Sequence, residues 1–411
     1  MRIVLLLAAT LSFSLAVPAQ ENILQELLGN SSDSLLGEVL RHPEQFQLQL
    51  IYTRIDRDED NRPSFQSYSY GLDTGLYFYP ASTVKMPAAL LALEKLNELR
   101  ILGLDKNSTM ITGAARPPQT AVNQDTTAAS GLPSVAQYIK KIFLVSDNDA
   151  FNRLYEFLGQ EYLNRKLYEK GYDKLRIIHR LSVSGYDVEG NRYTNPVSFY
   201  DGDSLLYHQG AVYSAFDPAL ELKEQVRGVA YMADDGKVIP EPFDFRNKNF
   251  VSLQDLHDIL QAALFPEAIP AERRFNLTEE DYHFLWKYMS MLPRESDHPA
   301  YDTTEYWDSY VKFFLFGDGK APMPDHIRIF NKVGDAYGFL TDVAYVVDFK
   351  NGVEFLLAAN IHVNKNQTYN DGVYEYDEIG FPVLARIGRL VYNYELKRDR
   401  LRKPDLERYR D

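Results

Sequence analysis

Strand-like alternation occurs near both ends of this 411-residue chain, and helical periodicity fills much of what lies between. Phe46, Leu48, Leu50 and Tyr52 alternate with Gln47, Gln49, Ile51 and Thr53, and Phe65 to Gly71 reads as the hairpin partner. Towards the other end, Ile327 to Val333, Gly338 to Phe349 and Val353 to Val363 read as further strands. The last two are joined by Lys350-Asn351-Gly352, a type I′ hairpin signal. Helical patterns flank both groups, at Ile23 to Val39 and from about Ile379 to Leu396. The arrangement predicts an α/β (α+β) fold. One antiparallel sheet of about five strands is built from both chain ends, terminal helices cover it, and an all-helical lobe is inserted.

Between the strands, Ala88 to Leu99 is an apolar helical run. Ser134 reads as the N-cap of a helix over Val135 to Val145, and helices follow at Asp149 to Leu158 and Glu161 to Lys170. Two more are expected at Ser252 to Leu264 and Thr278 to Met291. Residues 104–132 read as a polar loop, and Ser182 to Asn249 is irregular, rich in Tyr, Asp, Gly and Pro. The expected division is a signal peptide over 1–19 and a single domain over 20–396, then a charged tail, 397–411, read as a frayed helix end. Within the domain, the sheet lobe takes about 20–81 and 326–396. The helical lobe takes 82–325, with an insertion at 183–250.

Composition narrows the function. Apolar residues at 45% can fill a sizeable core, and a net charge of −14 argues against a nucleic-acid partner. No cysteine is present, which excludes zinc fingers, iron–sulfur clusters and thiol catalysis. The eight histidines lack metal-ligand spacing and no Gly-x-Ser-x-Gly elbow occurs, so no metal or cofactor is expected. The acidic turn Asp56 to Asn61 lacks the glycine and glutamate of a calcium loop. Arg2, the apolar run Ile3 to Val17 and the small-residue site Val17-Pro18-Ala19 predict an exported protein, periplasmic or secreted. That run is too short for a membrane span, and no later stretch is apolar enough. A monomer is expected.

Three short motifs carry chemistry. Ser82 and Lys85 stand one turn apart at a helix start, where a serine can pass its proton to an amine and backbone N–H groups face a nascent oxyanion. Alone, Ser-x-x-Lys means little, because chance supplies about one or two copies in a chain this long. Ser146-Asp147-Asn148 lies in a helix-to-helix loop, however, and Lys332-Val333-Gly334 ends a predicted strand. Ser-x-x-Lys, Ser-Asp-Asn and Lys-Thr-Gly in that order mark penicillin-binding proteins and class A β-lactamases.

The chain thus resembles the class A β-lactamase-like serine hydrolases, with a β-lactamase/DD-peptidase-like fold implied. The resemblance takes in Ser134 to Gly159, Leu163 to Leu181 and Asn331 to Val347, and runs over roughly 46–182 and 250–396. It implies that Ser82 forms an acyl-enzyme, Lys85 takes its proton, Ser146 relays it, and Lys332 holds Ser146 and attracts a substrate carboxylate. Asn148 would bind a substrate amide, and the N–H groups of Ser82 and Asp335, beside Gly334, would form the oxyanion hole.

Two departures stand out. Gly185 occupies the spacing of the family's deacylating glutamate, which leaves Glu189 as the candidate base, and Val333 replaces the threonine hydroxyl. The implied function is an exported serine hydrolase acting on a β-lactam or D-alanyl-type peptide or ester donor. The rival is a penicillin-binding-like sensor that keeps the fold without turnover.

Overall fold

The computed structural model describes residues 22–410, so the expected signal segment lies outside the described residues. Two short helices, α1 (Ile23–Gly29) and α2 (Ser34–Arg41), precede strands β1 (Gln49–Arg57) and β2 (Pro63–Tyr70). Strands β3 (Ile327–Ala336), β4 (Phe339–Asp348) and β5 (Val353–His362) come from the other end. Together they form one antiparallel sheet in the order β3-β4-β5-β1-β2, with the two chain ends joined where Gln49 faces Asn360. β1 starts later than its alternation suggests. Pro43–Phe46 makes one helical turn, and Gln47, at φ +43°, then redirects the chain.

Every residue of β4 and β5 is buried, as expected for inner strands covered on both faces. On one face, Leu50, Tyr52, Val346 and Leu357 pack against Leu24 and Leu36 and against Leu384 and Ile387 of the last helix. The other face, with Ile51, Val343, Tyr345 and Ala358, packs on the intervening helices.

Four of those helices start at side-chain caps, Ser134, Asp147, Ser252 and Thr278. The intervening helices are α3 (Lys85–Leu99), α4 (Val135–Val145), α5 (Asn148–Leu158), α6 (Gln160–Glu169), α7 (Leu253–Leu264) and α8 (Glu279–Ser290), and α9 (Phe381–Lys397) closes the sheet. Ser134 accepts from Gln137 N–H at 3.1 Å, Asp147 from Ala150 N–H at 2.7 Å, and Ser252 from Asp255 N–H at 3.0 Å. Such caps contribute about 1 kcal/mol each. α3 is buried on almost every side from Lys85 to Leu93. Leu90, Leu91 and Leu93 each contribute about 1.5–3 kcal/mol by burial. No helix among the described residues is long and apolar enough to cross a membrane.

Three local expectations are corrected. The β4–β5 connection is a four-residue loop, not a type I′ turn: Asp348 faces Val353, and only Gly352 takes positive φ. The Asp348 carboxylate accepts from the N–H groups of Lys350 and Asn351, so a side chain supports this turn instead of an Asn-Gly pair. The tail is docked, not frayed. Tyr409 is 3% exposed, donates to the Leu264 carbonyl at 2.8 Å and packs among Phe330, Tyr345 and Phe265. The irregular insertion is tied down by short ladders, among them 197–201 pairing with 109–112 and 204–209.

Candidate active site

Ser82 sits in a single 3-10 turn, Ala81–Val84, that runs directly into α3. Thr83 fastens this turn by returning both its N–H and its hydroxyl to the Pro80 carbonyl. Ala81 has φ +46°, a left-handed conformation that costs a non-glycine residue energy and is typically held at functional sites. Pro87 lies in the first turn of α3, where its missing N–H does least damage.

Lys85, fully buried, opens α3 and extends towards the junction of α4 and α5. There Ser146 ends α4 at φ +60° and Asn148 begins α5. The Lys85 ammonium donates to Asn148 Oδ1 at 2.7 Å, to Ser146 Oγ at 3.3 Å and to the Ser146 carbonyl. From the opposite side, Lys332 Nζ on β3 donates to the same Ser146 Oγ at 2.8 Å. Two amines therefore converge on one hydroxyl.

Burial sets the charge state of this group. It lowers Lys85 to about 7, against weaker opposing pulls from Asp147 and Asp335. Lys332 is pushed well down, by burial first and then by the neighbouring Lys85 charge. Asp335 is reachable by solvent but enclosed by the cleft walls, and that enclosure raises its pKa. Lys85 in its neutral form is a base one helical turn from Ser82.

β3 is the edge strand of the sheet and lies against the Ser82 turn. The approach is close at Gly334: a Cβ there would sit 2.6 Å from the Pro80 carbonyl oxygen and 2.8 Å from Ser82 N. Only glycine permits the strand edge, with Asp335 following, to lie alongside the serine. Ser82 lines two cavities, one of about 490 Å³ with Tyr79, Asn148, Asp335 and Tyr337, and one of about 640 Å³ with Ser146, Trp307 and Tyr310. Its hydroxyl makes no hydrogen bond among the described residues. Such contacts often tighten only when substrate binds.

Seven of the eight expected site residues are thus brought together: Ser82, Lys85, Ser146, Asn148, Lys332, Gly334 and Asp335. Glu189 is not. It is solvent-exposed on a short helix, Val188–Arg192, and lines neither cavity at Ser82. Asp187 caps that helix, accepting from Gly190 N–H. Val333 is buried in the sheet's outer core and brings no hydroxyl to the cavity it lines.

Sequence reasoning missed the wall formed by 301–320. It carries the aromatic group Tyr301, Tyr306, Trp307 and Tyr310. Fully buried Lys312 anchors it, donating to the Met289 carbonyl at 2.6 Å and to Asn331 Oδ1 at 2.7 Å. Asp342 accepts from Phe313 and Phe314 N–H and from Asn331. The density of Tyr, Trp and Phe over 301–316 was the one available signal.

Residues 64–218 match the model of the Beta-lactamase enzyme family, a segment that contains Ser82, Lys85, Ser146 and Asn148. Among solved structures, the chain is similar to a β-lactamase from Sphaerobacter thermophilus at 13% identity, covering 86% of this chain and 93% of that one, with TM-score 0.47. It is similar to PBP-A at 17% identity, covering 91% and 96%, with TM-score 0.47. A β-lactamase from Burkholderia ambifaria matches at 13% identity, covering 88% and 98%, with TM-score 0.45. Among curated proteins, none matches the chain.

Proposed function

We propose that the chain is an exported serine acyl-transfer hydrolase that forms an acyl-enzyme on Ser82. The observation that carries this reading is the Lys85–Ser146–Lys332 cluster, with two buried amines bonded to one hydroxyl beside a cavity-facing serine. Ser82 Oγ attacks the donor carbonyl carbon as its proton passes to neutral Lys85. The N–H groups of Ser82 and Asp335 receive the oxyanion. Ser146 hands a proton to the leaving nitrogen or oxygen and regains one from the amines beside it. Asn148 holds the donor's amide. Water then releases the acyl group. The donor is an amide or ester small enough for these cavities, a β-lactam or a D-alanyl-type cell-wall peptide. The apolar run Ile3 to Val17 supports export.

A second reading has its own support. With Glu189 exposed and no glutamate lining either cavity at Ser82 among the described residues, the family's deacylating glutamate has no counterpart there. The protein would then acylate and hold its adduct, as a sensor does.

Incubation with a reporter penicillin, followed by mass against time, separates the readings. A transient adduct with product release supports the hydrolase, and a persistent adduct supports the sensor. An adduct retained in Ser82→Ala, or none with penicillin, peptide or ester donors, overturns both. Glu189→Gln is expected to leave the release rate unchanged.

A further inference from the structure

The insertion forms most of a further cavity, of about 970 Å³, which meets the Ser82 cavity at Tyr79, Ser182 and Tyr337. Its charge opposes that of the molecule. Arg176, Arg180, Arg192, Arg246 and Lys248 line it against only Asp187, Asp217 and Asp234, in a chain of net charge −14.

Local partners do not neutralise this excess. The Lys248 ammonium makes no hydrogen bond or ion pair among the described residues. Arg176, 6% exposed, donates only to neutral acceptors: the Lys248 carbonyl at 3.0 Å, Gln225 Oε1 at 2.9 Å and the Phe245 carbonyl at 3.2 Å. Arg180, 4% exposed, pairs with Glu156, which Arg153 also contacts while pairing with Asp149, and the Arg180 Nη1 is buried without a partner. His179 Nε2 beside it also lacks one. Arg192 and Arg246 do have carboxylates, Asp217 at 3.4 Å and Asp244 at 2.6 Å. Burial lowers both Arg176 and Lys248, and the more distant carboxylates, Asp217 and Asp244 for Arg176 and Asp234 for Lys248, only partly oppose it. An incoming anion would supply what the cavity lacks.

We propose that this cavity receives a carboxylate at the far end of the donor's acyl arm, so that the donor runs from Ser82 between Tyr79 and Tyr337 to Lys248 and Arg176. The link to chemistry rests on the reading of Ser82 as the acylated residue. The binding of the carboxylate does not.

The test uses phenyl esters of N-succinyl-oligoglycines of increasing length, and the same esters with the succinyl carboxylate converted to carboxamide. Once the arm is long enough, the carboxylate series acylates Ser82 about ten-fold faster, the factor expected of one charge-assisted hydrogen bond. Lys248→Met brings that series down to the carboxamide series, and Lys248→Arg keeps the advantage. Equal rates at every length, or an advantage that survives Lys248→Met, overturn the assignment and leave the Ser82 reading intact. If no ester acylates, calorimetry of the unreactive N-succinyl-oligoglycine amides with Ser82→Ala decides. Binding abolished by adding Lys248→Met keeps the cavity assignment while the acyl-transfer reading falls, and no binding overturns the assignment.

Discussion

Lys85 is an amine whose contacts are all oxygen dipoles, with no carboxylate within ion-pair reach. Burial holds it near 7 in the folded protein, well below an ordinary lysine near 10.5. Between those values the unfolded chain binds a proton that the folded chain does not, so folding stability rises with pH across the window. Below about 7 both states are protonated and the full cost of the buried charge is felt. Lys85→Met should therefore raise stability in that lower range, by up to a few kcal/mol, and flatten the pH dependence above it. Denaturant titrations at several pH values would measure the difference, which belongs to the Lys85–Lys332 pair because the two titrate together. Acylation by the native protein should rise with pH through about 7, as neutral Lys85 becomes available, and should be lost in Lys85→Met. The placement of Ser82 at the turn that opens α3, with Lys85 at the first position of that helix, was legible in the sequence from local spacing. The position of Glu189 was not, because it depends on how Asp187 caps a five-residue helix inside the insertion.

Among the elements that frame the site, β3 has little tolerance for change at its edge. Its edge touches the Ser82 turn at Gly334, where any side chain meets backbone instead of a flexible side-chain end. Gly334→Ala should push strand and turn apart, costing about 1–3 kcal/mol of stability. Acylation should fall further than stability does, by roughly a hundred-fold, since misplacement of about 1 Å can cost that much. Thermal melts beside adduct kinetics would separate the two effects. The helices were readable because their caps are local: Ser134, Ser252 and Thr278 each bond within the next three residues. The β4–β5 turn was misread because Asn-Gly is a local signal that the Asp348 side chain overrides.

Across the whole molecule, long-range pairing decides what local pattern could not. The ladder of 109–112 with 197–201 joins segments far apart in sequence, and neither has enough periodicity to announce its partner. The tail is similar. Its charges suggested solvent, yet Leu406 and Tyr409 are buried against the sheet and α7. Tyr409→Ala should cost about 3–5 kcal/mol, the usual range for a buried aromatic, and a melting curve would show it.

The sheet that joins both chain ends also orders events in time. Ser82, Lys85, Ser146 and Asn148 leave the ribosome long before Lys332 and Gly334. β1 cannot gain its inner neighbour, β5, until residues 353–362 exist. Ser82 thus lacks its strand edge and the Lys332 amine until residues 327–336 have been synthesised. Such distant pairing slows folding, so a chain caught partway exposes apolar strand faces before the cluster around Ser82 is assembled.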